Sequence, residues 1–307
     1  MNFGIGNIAG ALASALLVLA LAPLAEGLLR KLTAVIQSRK GPPLFQPYMD
    51  LLKLLGKEDV ESGISPRMQR FAAYLSLASV LATATLVPMG WPAPMNGGAD
   101  AILLIYLLTL SGISTLLGGL AAGSTYSLLG ISREMMTMIA LEPLFAVAIL
   151  AGALHTGSFR LDVVLNGSVY AGTGVPWSGL LLFVLLLVSF QAFVQRIPFD
   201  IPEAETELME GPLMEYSGPK LALFKSAQMC RLIVHSAIFV GLFVPWGAGL
   251  PQPLGVLIFW AKVVLLVVMV TVLAATHARY RLDQALRFFS GLLVLALGAL
   301  VLASYGF

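Results

Sequence analysis

Cysteine, histidine and charge are all scarce in this chain, and each shortage excludes a class of function. It has 307 residues, one of which is cysteine and three of which are histidine. A lone Cys230 allows no intrachain disulfide and no thiolate cage for nickel or an iron–sulfur cluster. His155, His235 and His277 are too far apart to form a short metal motif, so any redox centre would sit on other chains. Charged residues make up 11%, against about 25% in an average soluble domain. The formal net charge of +2 gives no basic surface for a nucleic acid. What the chain does have is apolar sequence: 58% hydrophobic residues and a mean hydropathy of +0.90. Such a chain cannot cover itself with polar surface in water. It reads as all-α and polytopic in a membrane.

A helix needs about 20 apolar residues to cross a bilayer. The uncharged runs support eight spans, near 5–29, 69–88, 101–121, 134–154, 177–195, 221–245, 254–275 and 287–305. The runs are continuously apolar, whereas the strands of a membrane barrel alternate. The first run has no positive leader and its basic residues follow it, so it reads as a retained span and not a secretory signal. Residues 1–307 read as a single membrane domain. Eight spans put both termini on one side. Fifteen Lys and Arg then fall in loops on the other side, against Arg160 alone on the terminal side. The positive-inside rule makes the basic loops cytoplasmic and the termini external. The absence of a targeting segment fits a prokaryotic cytoplasmic (inner) membrane.

Two of the basic-side loops are long. In the first, near 30–68, Tyr48, Leu51, Leu52 and Leu55 share one helical face, and Asp50, Lys53 and Lys57 the other. That pattern is an amphipathic helix lying on lipid at the interface, and it is compatible with a docking surface for a soluble subunit. The loop after the fifth span is more unusual. Asp200, Glu203, Glu205, Glu207, Glu210 and Glu215 fall within sixteen residues, with no Lys or Arg between Arg196 and Lys220. Pro202 suits the first turn of a short helix, and Gly211-Pro212 would stop it. On that helix Glu203, Glu207 and Glu210 would share a face, with Glu205 elsewhere. Crowded carboxylates shielded from water titrate in coupled steps, which is useful for moving protons. A solvated acidic face for a basic partner is the alternative.

Charges within the spans are few. Glu142, followed by Pro143, lies in the fourth span, and Glu134 lies two turns earlier on the same face beside Arg133. Arg231 falls in the sixth span, with His235 one turn on, and Lys262 in the seventh. Intramembrane charges are costly and usually face a wet or protein-lined interior. Glu134, Glu142, Arg231 and Lys262 therefore suggest a buried polar line, paired charges that only fix helix packing being the alternative. Glu26, near the end of span one, is placed to snorkel toward the interface.

The segment "PFDIPEAETELMEGPLMEYSG" resembles the signature loop of subunit 1 of proton-pumping NADH:quinone oxidoreductase, and "IQSRKGP" and "KEDVES" resemble its first-loop motifs. Within that superfamily, "EGPLMEYSG" and "SREMMTMIALEP" look like the membrane subunit of energy-converting [NiFe] hydrogenases. The shorter first loop points the same way. So do Gln228 and Leu29, which stand where the quinone enzymes carry acids.

The resemblance implies a membrane base for a hydrogenase. Its [NiFe] centre and [4Fe-4S] clusters would sit on large, small and iron–sulfur partner subunits, with ferredoxin as donor and no cofactor or metal on this chain. Hydrogen evolution, or its reverse, would be coupled to H⁺ or Na⁺ movement, shared with an antiporter-like membrane subunit. The resemblance assigns coupling to Glu203, Glu205, Glu207, Glu210 and Glu215 and to Arg133, Glu134, Glu142 and Lys262; Asp200 of the acidic loop and Arg231 of the buried line join them as candidates. It assigns docking to Arg39, Lys40, Gly41, Pro42, Tyr48, Lys57, Glu58 and Asp59. The competing readings are a quinone-binding complex I subunit, a stand-alone secondary transporter and a passive anchor.

Overall fold

The computed structural model describes residues 5–60, 65–95, 99–171, 175–203, 205–247 and 250–306, without the side chains of Ile5, Glu205 and Thr206. Among the described residues there is no strand, only an isolated bridge between Asp100 and Arg160. Among the described residues, eight long helices carry the fold: α1 (Ile5–Ile36), α3 (Pro66–Leu86), α4 (Ala101–Ala122), α5 (Thr125–Thr156), α7 (Trp177–Phe193), α9 (Gly218–Phe243), α10 (Leu254–Thr276) and α11 (Leu282–Ser304). Three short helices lie between them: α2 (Gln46–Leu55), α6 (Leu161–Val164) and α8 (Glu205–Leu208).

At 1.5 Å per residue, about 20 residues span the hydrocarbon layer. By length and composition, α1, α4, α5, α9, α10 and α11 can each cross it. The 17-residue α7 is apolar but short. α3 has the length, but Arg67, Gln69 and Arg70 occupy its first turns. The outer surface is apolar: Leu12, Leu16, Leu257, Leu265, Val294 and Val301 are all exposed. In water each would cost about 25 cal/mol per Å², so this surface belongs in lipid. The protein is an integral, polytopic, all-α membrane protein.

α9 is the central post. Every residue from Met229 to Phe243 is buried, so it can be apolar all round. Phe239 packs on Phe190 of α7 (5.5 Å between ring centroids) and on Phe243 (5.1 Å).

The connections gather at two ends. At one end, Arg30 pairs with Asp50 (2.9 Å), Lys220 with Asp59 (3.0 Å) and Arg279 with Asp200 (2.8 Å). Ser127 of α5 also donates to the Pro212 carbonyl there (3.3 Å). The loops α1–α3, α4–α5, α7–α9 and α10–α11 therefore share that end, where most Lys and Arg collect. At the other end, Ala101 N–H donates to Phe159 O (2.7 Å) and Gly167 N–H to Gly241 O (2.9 Å).

Helix ends differ from the hydropathy reading in instructive ways. α5 begins at Thr125, not near 134, because the Ser124 hydroxyl caps it by accepting from Ser127 N–H (3.2 Å). Just before it, Gly123 closes α4 with a left-handed φ of 70°. Arg133 and Glu134 thus lie inside α5, not at its mouth. α5 is assigned as one helix through Pro143.

The α2 helix forms as expected, but its faces divide differently. Pro47 is buried and Leu51 and Leu54 turn inward, while Phe45, Met49, Leu52 and Leu55 are exposed. Asp50 also faces the protein, because Arg30 draws it there.

Candidate functional site

The acidic loop starts where α7 stops. Gln195 takes a left-handed φ of 54°, which turns the chain out of the helix. The next residue, Arg196, reaches α1 and pairs with Glu26. Glu26 also accepts from Arg30 Nε (3.2 Å), and Arg30 Nη1 continues to Asp50 on α2 (2.9 Å). Glu26 is only 4% exposed, so it does not snorkel; two guanidinium groups hold it inside. This cluster ties the acidic loop to the first loop.

The loop carboxylates do not share one helical face. α8 covers only Glu205–Leu208, and its end is set by Met209 and Gly211, with φ of 59° and 52°. Gly211 lies so close to the Pro202 carbonyl that no Cβ would fit. Glu203 precedes α8 and turns toward α9, where it accepts from Gln228 Nε2. Glu207 points the other way, to Arg133 Nη1 (2.6 Å), and Glu210 lies 3.7 Å from Lys225. Asp200 pairs with Arg279, and Glu215 is half-buried before α9. The Glu205 side chain lies outside the described residues.

These positions separate the carboxyls chemically. Loss of hydration raises the Glu203 pKa, against the pull of Lys225 and with the push of Asp200. The Arg133 guanidinium, by its hydrogen bond and its charge, holds exposed Glu207 below the ordinary carboxylate range. The loop is seated on α4 and α5. A Cβ on Gly130 would meet Pro212 at 2.7 Å, and Tyr216 hydroxyl donates to Gly118 O (2.8 Å).

Directly inside this loop lies a cavity of about 80 Å³ lined by Glu134, Glu142, Gln195, Arg231 and His235. A water needs about 10–15 Å³ of such space, so a few would fit. Glu134 is 3% exposed and Arg231 7%. Gln195 stands between them: its Nε2 donates to Glu134 Oε1 (2.6 Å), and its Oε1 accepts from Arg231 Nη1 (2.8 Å). Arg231 Nη2 donates to Ser111 Oγ on α4 (2.8 Å). The His235 ring makes a 2.9 Å hydrogen-bond contact between Nδ1 and Arg231 O, and it stacks on Phe193 at 6.1 Å. Gly112 leaves room for Met138 at the cavity wall: a Cβ there would sit 2.8 Å from Met138 Sδ. Two acids and an imidazole around one small cavity can bind and exchange protons, beside a guanidinium that keeps its charge.

The expected line is therefore partly assembled. Glu134, Glu142 and Arg231 meet in one cavity. Arg133, next to Glu134 on α5, addresses the acidic loop instead. Lys262 stands apart. It lines a second cavity of about 580 Å³ near the opposite end, and its Nζ donates to the carbonyls of Val244 (2.7 Å) and Trp246 just past the end of α9. Among the docking residues, Arg39, Lys40, Lys57, Glu58 and Asp59 are exposed. Asp59 pairs with buried Lys220, Gly41 folds back on the end of α1 beside Ala34, and Pro42 is half-buried. Tyr48 turns inward and donates its hydroxyl to Ala20 O.

Gln195 and Ser111 were not singled out by the residue pattern, and Glu26 was noted only as an acid placed to snorkel. Neutral residues in apolar runs carry little signal, although Gln195 directly precedes the recognisable loop motif. Among the described residues, no group of three or more His, Cys, Asp or Glu is placed to hold a metal ion.

The family model described as NADH dehydrogenase matches residues 8–304. "Hydrogenase-4 component C" of Escherichia coli (strain K12) is 37% identical over 277 residues, covering 89% of this chain and 87% of that protein. "Formate hydrogenlyase subunit 4" of the same organism is 33% identical over 287 residues, covering 89% and 91%. Among solved structures, a chain of an archaeal respiratory membrane complex, the membrane-bound sulfane sulfur reductase, has the same fold. Its TM-score is 0.86, with 24% identity, over 98% of this chain and 100% of that one.

Proposed function

As this chain belongs to the NADH dehydrogenase family, we propose that it is the ion-coupling membrane subunit of a membrane-bound [NiFe] hydrogenase. Two full-length relatives, one named as a hydrogenase component and one as a formate hydrogenlyase subunit, support the hydrogenase assignment. The single observation that carries the coupling role is the buried Glu134–Gln195–Arg231 array immediately inside the acidic loop. A passive anchor has no need of buried charges, which are expensive in a membrane.

In this reading the soluble large, small and iron–sulfur subunits dock on the end that carries the first and acidic loops. Ferredoxin supplies their electrons, and their clusters and [NiFe] centre do the redox chemistry. The docking face is cytoplasmic, the termini are external, and the membrane is a prokaryotic cytoplasmic membrane; the charge asymmetry of the loops supports this orientation.

This chain's part is electrostatic. A change at the docking face alters the protonation of Glu203 or the Arg133–Glu207 pair. Arg133 and Glu134 are neighbours on α5, one addressing the loop and the other the cavity. A change in the loop is thereby felt at Glu134 and Glu142, which pass a proton, or the charge change that moves one, toward an antiporter-like membrane subunit. Coupling of this kind requires two states biased by both sites.

The test is purification of the whole complex through a tag on this chain, with metal analysis and hydrogen evolution from reduced ferredoxin. Nickel and iron co-purifying with that activity is the expected result. Iron without nickel, with quinone-dependent oxidation, would assign the chain to a complex I-type enzyme instead.

A further inference from the structure

Gln195 occupies an unusual position. Its φ of 54° is a conformation that glycine, and to a lesser degree asparagine, adopts freely and that other side chains resist. A glycine would end α7 at less strain. The glutamine brings a side chain to this turn, and that side chain makes two hydrogen bonds inside the cavity.

Those bonds fix the amide in one orientation. The guanidinium can only donate, so it takes Oε1; a carboxylate accepts, so it takes Nε2. With both satisfied, Glu134 and Arg231 form one hydrogen-bonded unit without direct contact between them. A carboxamide neither ionises nor gains and loses protons near neutral pH. It transmits the charge of one partner to the other while carrying no proton itself. The next residue, Arg196, is paired with Glu26 in the cluster that reaches Asp50 of α2. The turn at 195–196 thus faces the cavity with one side chain and the first loop with the next.

We propose that Gln195 is a positioning residue. Its amide holds Glu134 and Arg231 as one unit, and its neighbour Arg196 makes that unit sensitive to the first loop. The proposal rests on the coupling function proposed above. It adds a residue on which ion movement depends and hydrogen turnover does not.

The experiment uses the whole complex in proteoliposomes and reads turnover and ion gradient together. Gln195→Gly suits the backbone and deletes the side chain with its amide. Its turnover is expected to persist, while the gradient per turnover falls at least tenfold, since the amide makes two hydrogen bonds to charged groups and the loss of one alone shifts an equilibrium about tenfold or more. Maleimide labelling of buried Cys230, the single cysteine of the chain, read on this chain after the subunits are separated, reports whether the fold is intact. If Gln195→Gly does not fold, Gln195→Met, equal in length and without the amide, decides by the same criterion. An infrared difference spectrum adds a readout independent of pumping: the carboxyl bands that Glu134→Gln removes should shift in the Gln195 variant. A variant with full gradient and unshifted bands would overturn the proposal and leave Gln195 as a helix end only. A wild-type complex that turns over without any gradient would overturn the coupling function itself.

Discussion

Arg231 is the residue whose loss should be most expensive. It lies in the fully buried part of α9, and its guanidinium forks: Nη1 to Gln195 (2.8 Å) and Nη2 to Ser111 Oγ (2.8 Å). Arg231→Met keeps the length and removes the charge, which leaves Glu134 buried without a cation. Glu134 and Arg231 are bridged by Gln195 and not in contact, so the cost should lie at or below the about 3–5 kcal/mol of breaking a buried ion pair from one side. Neutral interhelical hydrogen bonds in membrane proteins average only about 0.6 kcal/mol, so a loss of several kcal/mol would have to come from charge. Arg231→Lys keeps the charge but cannot reach Gln195 and Ser111 at once, and it should cost about 1.5–3 kcal/mol, the value of one hydrogen bond to a charged group. Adding Glu134→Gln to Arg231→Met removes the stranded acid and should recover most of the loss. The assay is built in, because Cys230 is buried and is the chain's one thiol. Its labelling by a maleimide dye during unfolding gives the stability of each variant. The reasoning is refuted if Arg231→Met costs less than about 1 kcal/mol, the scale of a neutral bond, or if the double variant is no more stable than the single one.

Three further outcomes follow from the site. Glu203 binds its proton more tightly in the folded protein than in the unfolded chain, where the pKa is about 4.3. Stability should therefore fall as pH rises from that value through the folded pKa, and Glu203→Gln should remove the slope and be the more stable form above it; unfolding measured across pH checks this. Glu207 is shifted the opposite way, so the stability from its pair with Arg133 is present above the unfolded pKa and lost as pH falls through the folded one. The Glu207 side chain is 54% exposed, so Glu207→Gln should cost less than about 1 kcal/mol; a large loss of gradient in that variant would then be functional and not a folding defect. Lys262 caps the carbonyl end of α9, where a cation contributes up to about 2 kcal/mol. Lys262→Met should lower stability by that order and leave the gradient per turnover unchanged, as measured in the same vesicles.

How far the sequence could be read depended on the kind of signal. Hydropathy located the eight long helices, because lipid demands continuous apolar runs and the runs are in the composition itself. It missed the true start of α5, where the boundary is set by a Ser124 cap and a left-handed Gly123 and not by the first charge. Spacing on a helix correctly put Glu134 and Glu142 on one face, since both lie on the unbroken α5. The same argument failed for Glu203, Glu207 and Glu210, because the helix it assumed is a single turn ended by positive φ at Met209 and Gly211. Lys262 was grouped with the acids by its depth in a span, yet depth says nothing about which end of the bundle a flexible side chain serves. Glu26 has one local partner, Arg30 four residues on, but its pairing with Arg196 and the bonds of Gln195 to Glu134 and Arg231 join residues distant in sequence, and no local pattern encodes those meetings.

The most direct test of the account is the ion gradient formed per hydrogen evolved by the whole complex in sealed vesicles, wild type against Glu142→Gln. Glu142 lines the cavity from within the long helix α5, so in the proposed hydrogenase assembly it takes no part in redox chemistry on the soluble subunits. The account predicts hydrogen evolution that continues while the gradient collapses. A variant that keeps the full gradient at normal turnover would contradict it, because the ion path would then bypass the cavity.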